Sequence, residues 1–220
     1  MKKNIIIIFL IILLAISFGI IMNLRRQISI LNNKVTVENN KINTETDAQK
    51  FKYEYEKLNN TKTSDGESYA EVNIDIDNPI IYVTLEELVN TIDSEEETYI
   101  YISSSSCPYC RATVEILLEV AKDLNIKKIY YYDGFKQENS EQYDNLLSKL
   151  EEKGMDFIND NEQKRWGLPL VLKTKNGNII SKIRGVSYQL NEGQSRYDSL
   201  TEEQKKLVYN RYYESLKIED

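Results

Sequence analysis

The chain carries two cysteines, and they lie close together as Cys107-Pro108-Tyr109-Cys110. Upstream, Thr98 to Ile102 is β-branched and aromatic, the composition of a strand. Downstream, Val114, Leu117, Leu118, Ala121 and Leu124 recur at helical spacing and predict a helix with one buried face. The pair therefore falls at a strand-to-helix junction, with Cys107 at the N-cap and Pro108 at the first helical position. A proline there gives up only an N–H that has no intrahelical partner. Two cysteines cannot close a four-cysteine zinc site. The sequence has no histidine, which excludes His-ligated zinc, Cys-His and Ser-His-Asp catalysis and a histidine general base. Redox chemistry is the leading reading. An inert disulfide at this spacing would close a tiny loop and gain little chain entropy. A cluster bridging two chains is the third possibility. No metal or cofactor is expected.

The same junction sets the division of labour between the two thiols. Free N–H groups and the positive end of a helix dipole stabilise a thiolate at Cys107, and Arg111 is expected to add a nearby cation. Cys110 lies one turn along the same face, within disulfide reach. The expected mechanism is attack by Cys107 on a substrate disulfide, a mixed disulfide, and resolution by Cys110.

Other elements alternate around this unit. Ile80 to Val83 reads as a short strand, and Thr84-Leu-Glu-Glu87 is a capping box opening a helix with Leu85, Leu88 and Val89. Ile129 to Tyr132 reads as a strand. Tyr143, Leu146, Leu147 and Leu150 mark a helical face, and 154–167 reads as an irregular connection. Pro169 to Lys173 and Ile179 to Ile183 flank Asn176-Gly177, a hairpin turn pair. Thr201-Glu-Glu-Gln204 is a second capping box, starting a helix with Leu207, Val208, Tyr212 and Leu216 on one face. The order β-α-β-α-β-α-β-β-α predicts an α/β domain over 71–220, a mixed central sheet with helices on both faces.

The N-terminal third differs. Ile5 to Met22 is an uncharged apolar run after Met1-Lys2-Lys3. As a helix it would be about 27 Å long, near the hydrocarbon thickness of a bilayer. Residues 1–22 therefore read as a transmembrane anchor or signal-anchor, and residues 5–22 as the membrane contact. A cleaved signal peptide is the rival. Lys2 and Lys3 against Arg25 and Arg26 leave the charge rule near a tie, and the short N-terminal tail favours a domain facing outward. Residues 23–70 read as a polar, partly helical stalk. Leu24, Ile28, Leu31, Val35 and Ile42 give an incomplete heptad pattern, while Phe51, Tyr55 and Leu58 share a face suited to docking on the α/β domain. The net charge of −7 argues against a nucleic-acid partner.

Over about residues 75–220 the pattern resembles the thioredoxin fold. Cys107-Pro108-Tyr109-Cys110 is similar to the glutaredoxin active site, Leu168-Pro169 to the superfamily's cis-proline, and Gly185 falls where the superfamily often keeps a glycine. The segments YEYEKLNN, EVNIDIDNPIIY, YISSSSCPYCR, LPLVLKTKNGNIISKIRG and LTEEQ resemble a family of membrane-attached bacterial thioredoxin-like proteins related to bacteriocin transport accessory proteins. The resemblance implies a thiol–disulfide oxidoreductase acting through Cys107 and Cys110 on protein dithiols and disulfides, with a redox partner the sequence does not specify. It also implies a cis Leu168–Pro169 bond that sets the Leu168 backbone beside Cys107. Trp166 is either a packing residue or a wall of the substrate groove. A non-enzymatic accessory or peptide-binding module of an export complex is the alternative. The chain departs from the pattern at several places, among them Ser106, where the aromatic residue usual just before the first cysteine is missing, and the stretch after Gly185, which lacks an acidic pair. Tyr101 stands where thioredoxin has a buried Asp, six residues before its first active-site cysteine. Gly167-Leu168-Pro169 replaces the glutaredoxin Thr-Val-Pro, which does not favour glutathione recognition.

Overall fold

A computed structural model describes residues 22, 24–27, 47–136, 141–160 and 163–217. The chain divides into two compact units, Met1–Glu45 and Thr46–Asp220. In the first, residues 22 and 24–27 are helical and exposed. Among the described residues no helix is long and apolar enough to cross a membrane. The apolar run Ile5 to Met22 lies, Met22 aside, outside the described residues.

The second unit opens with a helix over residues 47–56 (α1). After it come β1 (Ile80–Tyr82), α2 (Leu85–Ile92), β2 (Thr98–Ser103), α3 (Pro108–Asp123), β3 (Ile129–Asp133) and α4 (Glu141–Glu152). The chain ends with β4 (Ile158–Asp160), β5 (Gln163–Arg165), β6 (Leu170–Lys175), β7 (Asn178–Arg184) and α5 (Glu202–Leu216). Five strands form one sheet in the order β1-β3-β2-β6-β7. The β1–β3 and β2–β3 pairs are parallel, and β2–β6 and β6–β7 are antiparallel. The parallel pairs need helical crossovers, whereas β6 and β7 join through the tight Asn176-Gly177 turn, both residues having positive φ.

Alternation along the strands builds two cores. Tyr101, Tyr131, Val171 and Ile183 face one side and pack with α1, α3 and α5. Ile100, Ile102, Leu170 and Leu172 face the other and pack with α2 and α4. β2 is thus apolar on both faces, as a central strand covered by two helical layers must be. Both capping boxes form: Thr84 and Thr201 each accept from the backbone N–H of the third helical residue, whose side chain returns a bond to the cap.

Four differences from the sequence reading have physical causes. Residues 47–70 belong to the compact unit, which begins at Thr46 rather than 71. Phe51 and Tyr55 are fully buried in the first core, and Asn59 exchanges two hydrogen bonds with Val72. Residues 154–167 contain a separate antiparallel β4–β5 pair, whose Ile158–Arg165, Asn159–Lys164 and Asp160–Gln163 partners carry no apolar alternation to betray it. On α5 the buried row is Gln204, Val208, Tyr212 and Leu216, at strict four-residue spacing, and Leu207 is exposed. On α3, Leu118 and Leu124 lie at the margin of the buried face rather than within it.

Candidate functional site

β2 delivers the chain to the dithiol. It ends at Ser103, and the Cys107 N–H donates to the Ser104 carbonyl at 3.1 Å, closing a tight turn. Cys107 then adopts extended backbone as the N-cap of α3, with Pro108 at the helix start and no acidic residue in the first turn. Its Sγ accepts the Cys110 N–H at 3.3 Å. Both cysteines are free thiols. Cys107 retains 5% exposure and Cys110 none, so the first alone meets solvent.

Their acidities diverge. A hydrogen bond from the Cys110 thiol lowers the pKa of Cys107 against the opposing cost of burial, helped by the Cys110 and Tyr109 backbone N–H groups and by the charge of Arg196. Burial, followed by the bond to Cys107 and its charge, pushes Cys110 well up, offset in part by Ser104 and the Ser103 hydroxyl. The two acidities are shifted apart, and Cys107 is the readier of the pair to ionise.

The structure assigns Arg111 a different place from the one expected. It is 1% exposed, and its guanidinium donates to the carbonyls of Tyr55, Ala70 and Ser105 and to Asn59 Oδ1. It ties the first turn of α3 to α1 and the segment after it. The cation that bears on Cys107 is instead Arg196, in the long connection between β7 and α5. Arg196 stacks over Tyr197, Tyr197 meets Tyr69 edge-on at 6.0 Å, and Tyr69 lies under Arg111. That connection has no periodicity, so its aromatic and basic residues left no sequence signal. The same connection supplies Tyr188, whose hydroxyl is raised to about 12 by burial, with smaller effects from Tyr109 and Cys107.

The Leu168–Pro169 bond is cis. The Pro169 carbonyl accepts the Gly185 N–H at 2.7 Å, and Gly185 has φ +67°, a conformation in which a glycine is unstrained. Leu168 packs so closely on Gly134 that a Cβ there would come within 2.8 Å of Leu168 Cδ2. Of the two readings of Trp166, the packing one matches its place, buried in the second core against Tyr132 and Phe157.

No family model matches the chain, and no curated protein matches it. Solved structures similar to it include thioredoxin O2 from Arabidopsis thaliana in the oxidized state, at 17% identity and TM-score 0.34, covering 50% of this chain and 84% of that one. Thioredoxin from Aeropyrum pernix is similar at 18% identity and TM-score 0.31, covering 48% of this chain and 74% of that one. The oxidised thioredoxin from Plasmodium falciparum is similar at 12% identity and TM-score 0.35, covering 60% of this chain and 94% of that one. The thioredoxin-like character of the fold rests on the chain's own strand order, mixed sheet and two helical layers.

Proposed function

We propose that the chain is a thiol–disulfide oxidoreductase, held at a membrane by residues 5–22 with its domain facing outward, and acting on cysteines of exported proteins. The observation that supports this best is the asymmetry of the dithiol. Cys107 caps α3 with its sulfur turned to backbone N–H groups, while Cys110 is sealed beneath it. Such an arrangement suits a nucleophile and a resolving thiol better than a staple. Cys107 thiolate attacks one sulfur of a substrate disulfide, the other leaves as a thiolate, and a mixed disulfide forms. Cys110 then attacks Cys107 Sγ, the second substrate sulfur leaves, and two electrons have passed from the dithiol to the substrate. The run in reverse oxidises a substrate dithiol.

The test is catalysed reduction of insulin by the full chain in detergent with dithiothreitol as electron source. Wild type should accelerate the reaction, Cys107→Ser should abolish the acceleration, and Cys110→Ser should accumulate a Cys107-linked mixed disulfide. A wild-type rate equal to that of Cys107→Ser overturns the reading.

A further inference from the structure

Arg111 is a buried cation that the exchange mechanism leaves unused. It is 1% exposed, and an ion taken out of water is costly unless its hydrogen bonds are complete. Here all five guanidinium N–H groups are engaged. Nε donates to the Ala70 carbonyl at 2.9 Å. Nη1 donates to the carbonyls of Tyr55 at 2.7 Å and Ser105 at 3.3 Å. Nη2 donates to Asn59 Oδ1 at 2.7 Å and again to the Ala70 carbonyl at 2.6 Å. None of these acceptors is a carboxylate. Glu115, one turn further along α3, accepts the Asn73 N–H instead. The Tyr69 ring covers the guanidinium at 5.4 Å. The oxygens diverge around a plane, as suits a rigid fork and not the single point of a lysine ammonium.

The five bonds fall into two groups. Four anchor the fork to Tyr55 of α1 and to Asn59 and Ala70 after it. The fifth goes the other way, to Ser105. Ser105 and Ser106 are the central residues of the turn that the Cys107 N–H closes on the Ser104 carbonyl. That turn sets how the chain enters α3. It leads into the extended backbone of Cys107, φ −76° and ψ 120°, from which Sγ accepts the Cys110 N–H at 3.3 Å. The peptide plane between Ser105 and Ser106 is free to rotate unless its carbonyl is held, and Arg111 holds it. α1 grips the same stretch a second time, where Tyr55 Oη and Ser103 Oγ share a hydrogen bond of 2.6 Å.

We propose that Arg111 is a positioning residue for the nucleophile: its guanidinium anchors the Ser104–Cys107 turn to α1 and to residues 59–70, and so fixes Cys107 as the cap of α3. The inference rests on the oxidoreductase reading above. The charge strengthens five hydrogen bonds to neutral oxygens, and its effect on the sulfur is geometric. A stretch of chain before residue 71 thereby becomes part of the redox site.

The experiment follows alkylation of Cys107 by iodoacetamide in the reduced full chain in detergent, from about pH 6 to pH 10, with the site read by mass spectrometry. Arg111→Lys keeps the charge and removes the fork. Its Cys107 midpoint should rise toward the ~8.5 of a free thiol. Alkylation at about pH 7 should slow roughly threefold to tenfold, the scale of one hydrogen bond to a charged group. Above the midpoint the rate should be no lower than in wild type, because a thiolate of higher pKa is no weaker a nucleophile. Asn59→Ala, which withdraws one anchor and leaves Arg111 in place, should move the midpoint the same way by less. Leu150→Ala truncates the second core and should lower stability without moving the midpoint, which separates positioning from general loosening. Cys110, Tyr109, Tyr188 and Arg196, the groups that bear on Cys107 and its surroundings, are present in every variant. Circular dichroism verifies each fold, and Asn59→Ala decides if Arg111→Lys does not fold. A wild-type midpoint in the deciding variant, or an equal shift in Leu150→Ala, overturns the anchor. Failure of wild type to reduce insulin overturns the oxidoreductase reading instead, and leaves the comparison of midpoints intact.

Discussion

At the scale of single residues, the consequence of the site is an acidity difference between two sulfurs three positions apart. The pKa of Cys107 is lowered from the ordinary thiol value, by the Cys110 hydrogen bond first, and that of Cys110 is raised well above it by burial. Alkylation of the reduced protein with iodoacetamide over a pH series should give one reactive cysteine, Cys107, with a midpoint below that of a free thiol. Equal rates at both positions would contradict the assigned roles. The same shifts link to stability. A depressed acid contributes nothing below its folded pKa and its full amount above its unfolded one. The reduced protein should therefore gain stability relative to Cys107→Ser as pH rises from the Cys107 midpoint toward about 8.5. Above that, Cys110 acts in the opposite sense, because the unfolded chain ionises a thiol that the fold keeps neutral, and stability falls. Melting temperatures of the two proteins from pH 6 to 10 check the sign in both windows.

At the scale of elements, α1 is the test of where the domain begins. Phe51 is fully buried and touches Tyr55 at 4.7 Å and Tyr131 at 5.0 Å between ring centroids. Phe51→Ala should cost about 3–5 kcal/mol, as deletion of a core aromatic does, although the residue lies in a stretch that reads as stalk. A loss below about 1 kcal/mol in urea unfolding would mean that α1 is an appendage. The sequence held part of this answer. The Phe51, Tyr55 and Leu58 face is visible at helical spacing, but the partner of a face is a tertiary fact that periodicity does not encode. Local signals fared best. The two capping boxes, the Asn176-Gly177 turn and the helix opening at Pro108 are each written within four residues, and each forms. Arg111 shows the limit. Its place one residue after Cys110 suggests a cation beside the thiolate, yet helical geometry turns it toward the Tyr55, Ala70 and Ser105 carbonyls. Arg196 takes up the electrostatic role from 86 positions beyond the dithiol's second cysteine, through a loop with no pattern to read.

At the scale of the whole molecule, the proposed attachment through an apolar run is a claim about sides of a membrane. Ile5 to Met22 holds no charge, whereas the chain overall carries −7. Disulfide exchange with exported proteins requires the dithiol on the oxidising side, where such substrates are found. Topology is therefore the property on which the proposed substrate class depends. Cys107 is 5% exposed, so the probe must be small, and a charged methanethiosulfonate is both small and membrane-impermeant. Intact cells expressing the full chain, mildly reduced and treated with the reagent, should show modification at Cys107 and none at Cys107→Ser. N-ethylmaleimide, which crosses membranes, reports the total of reactive thiol in the same cells. Modification by the charged reagent only after lysis would place the domain inside. The dithiol chemistry would survive that result, because it depends on the helix start and the buried partner thiol, but its substrates would have to be sought among intracellular proteins.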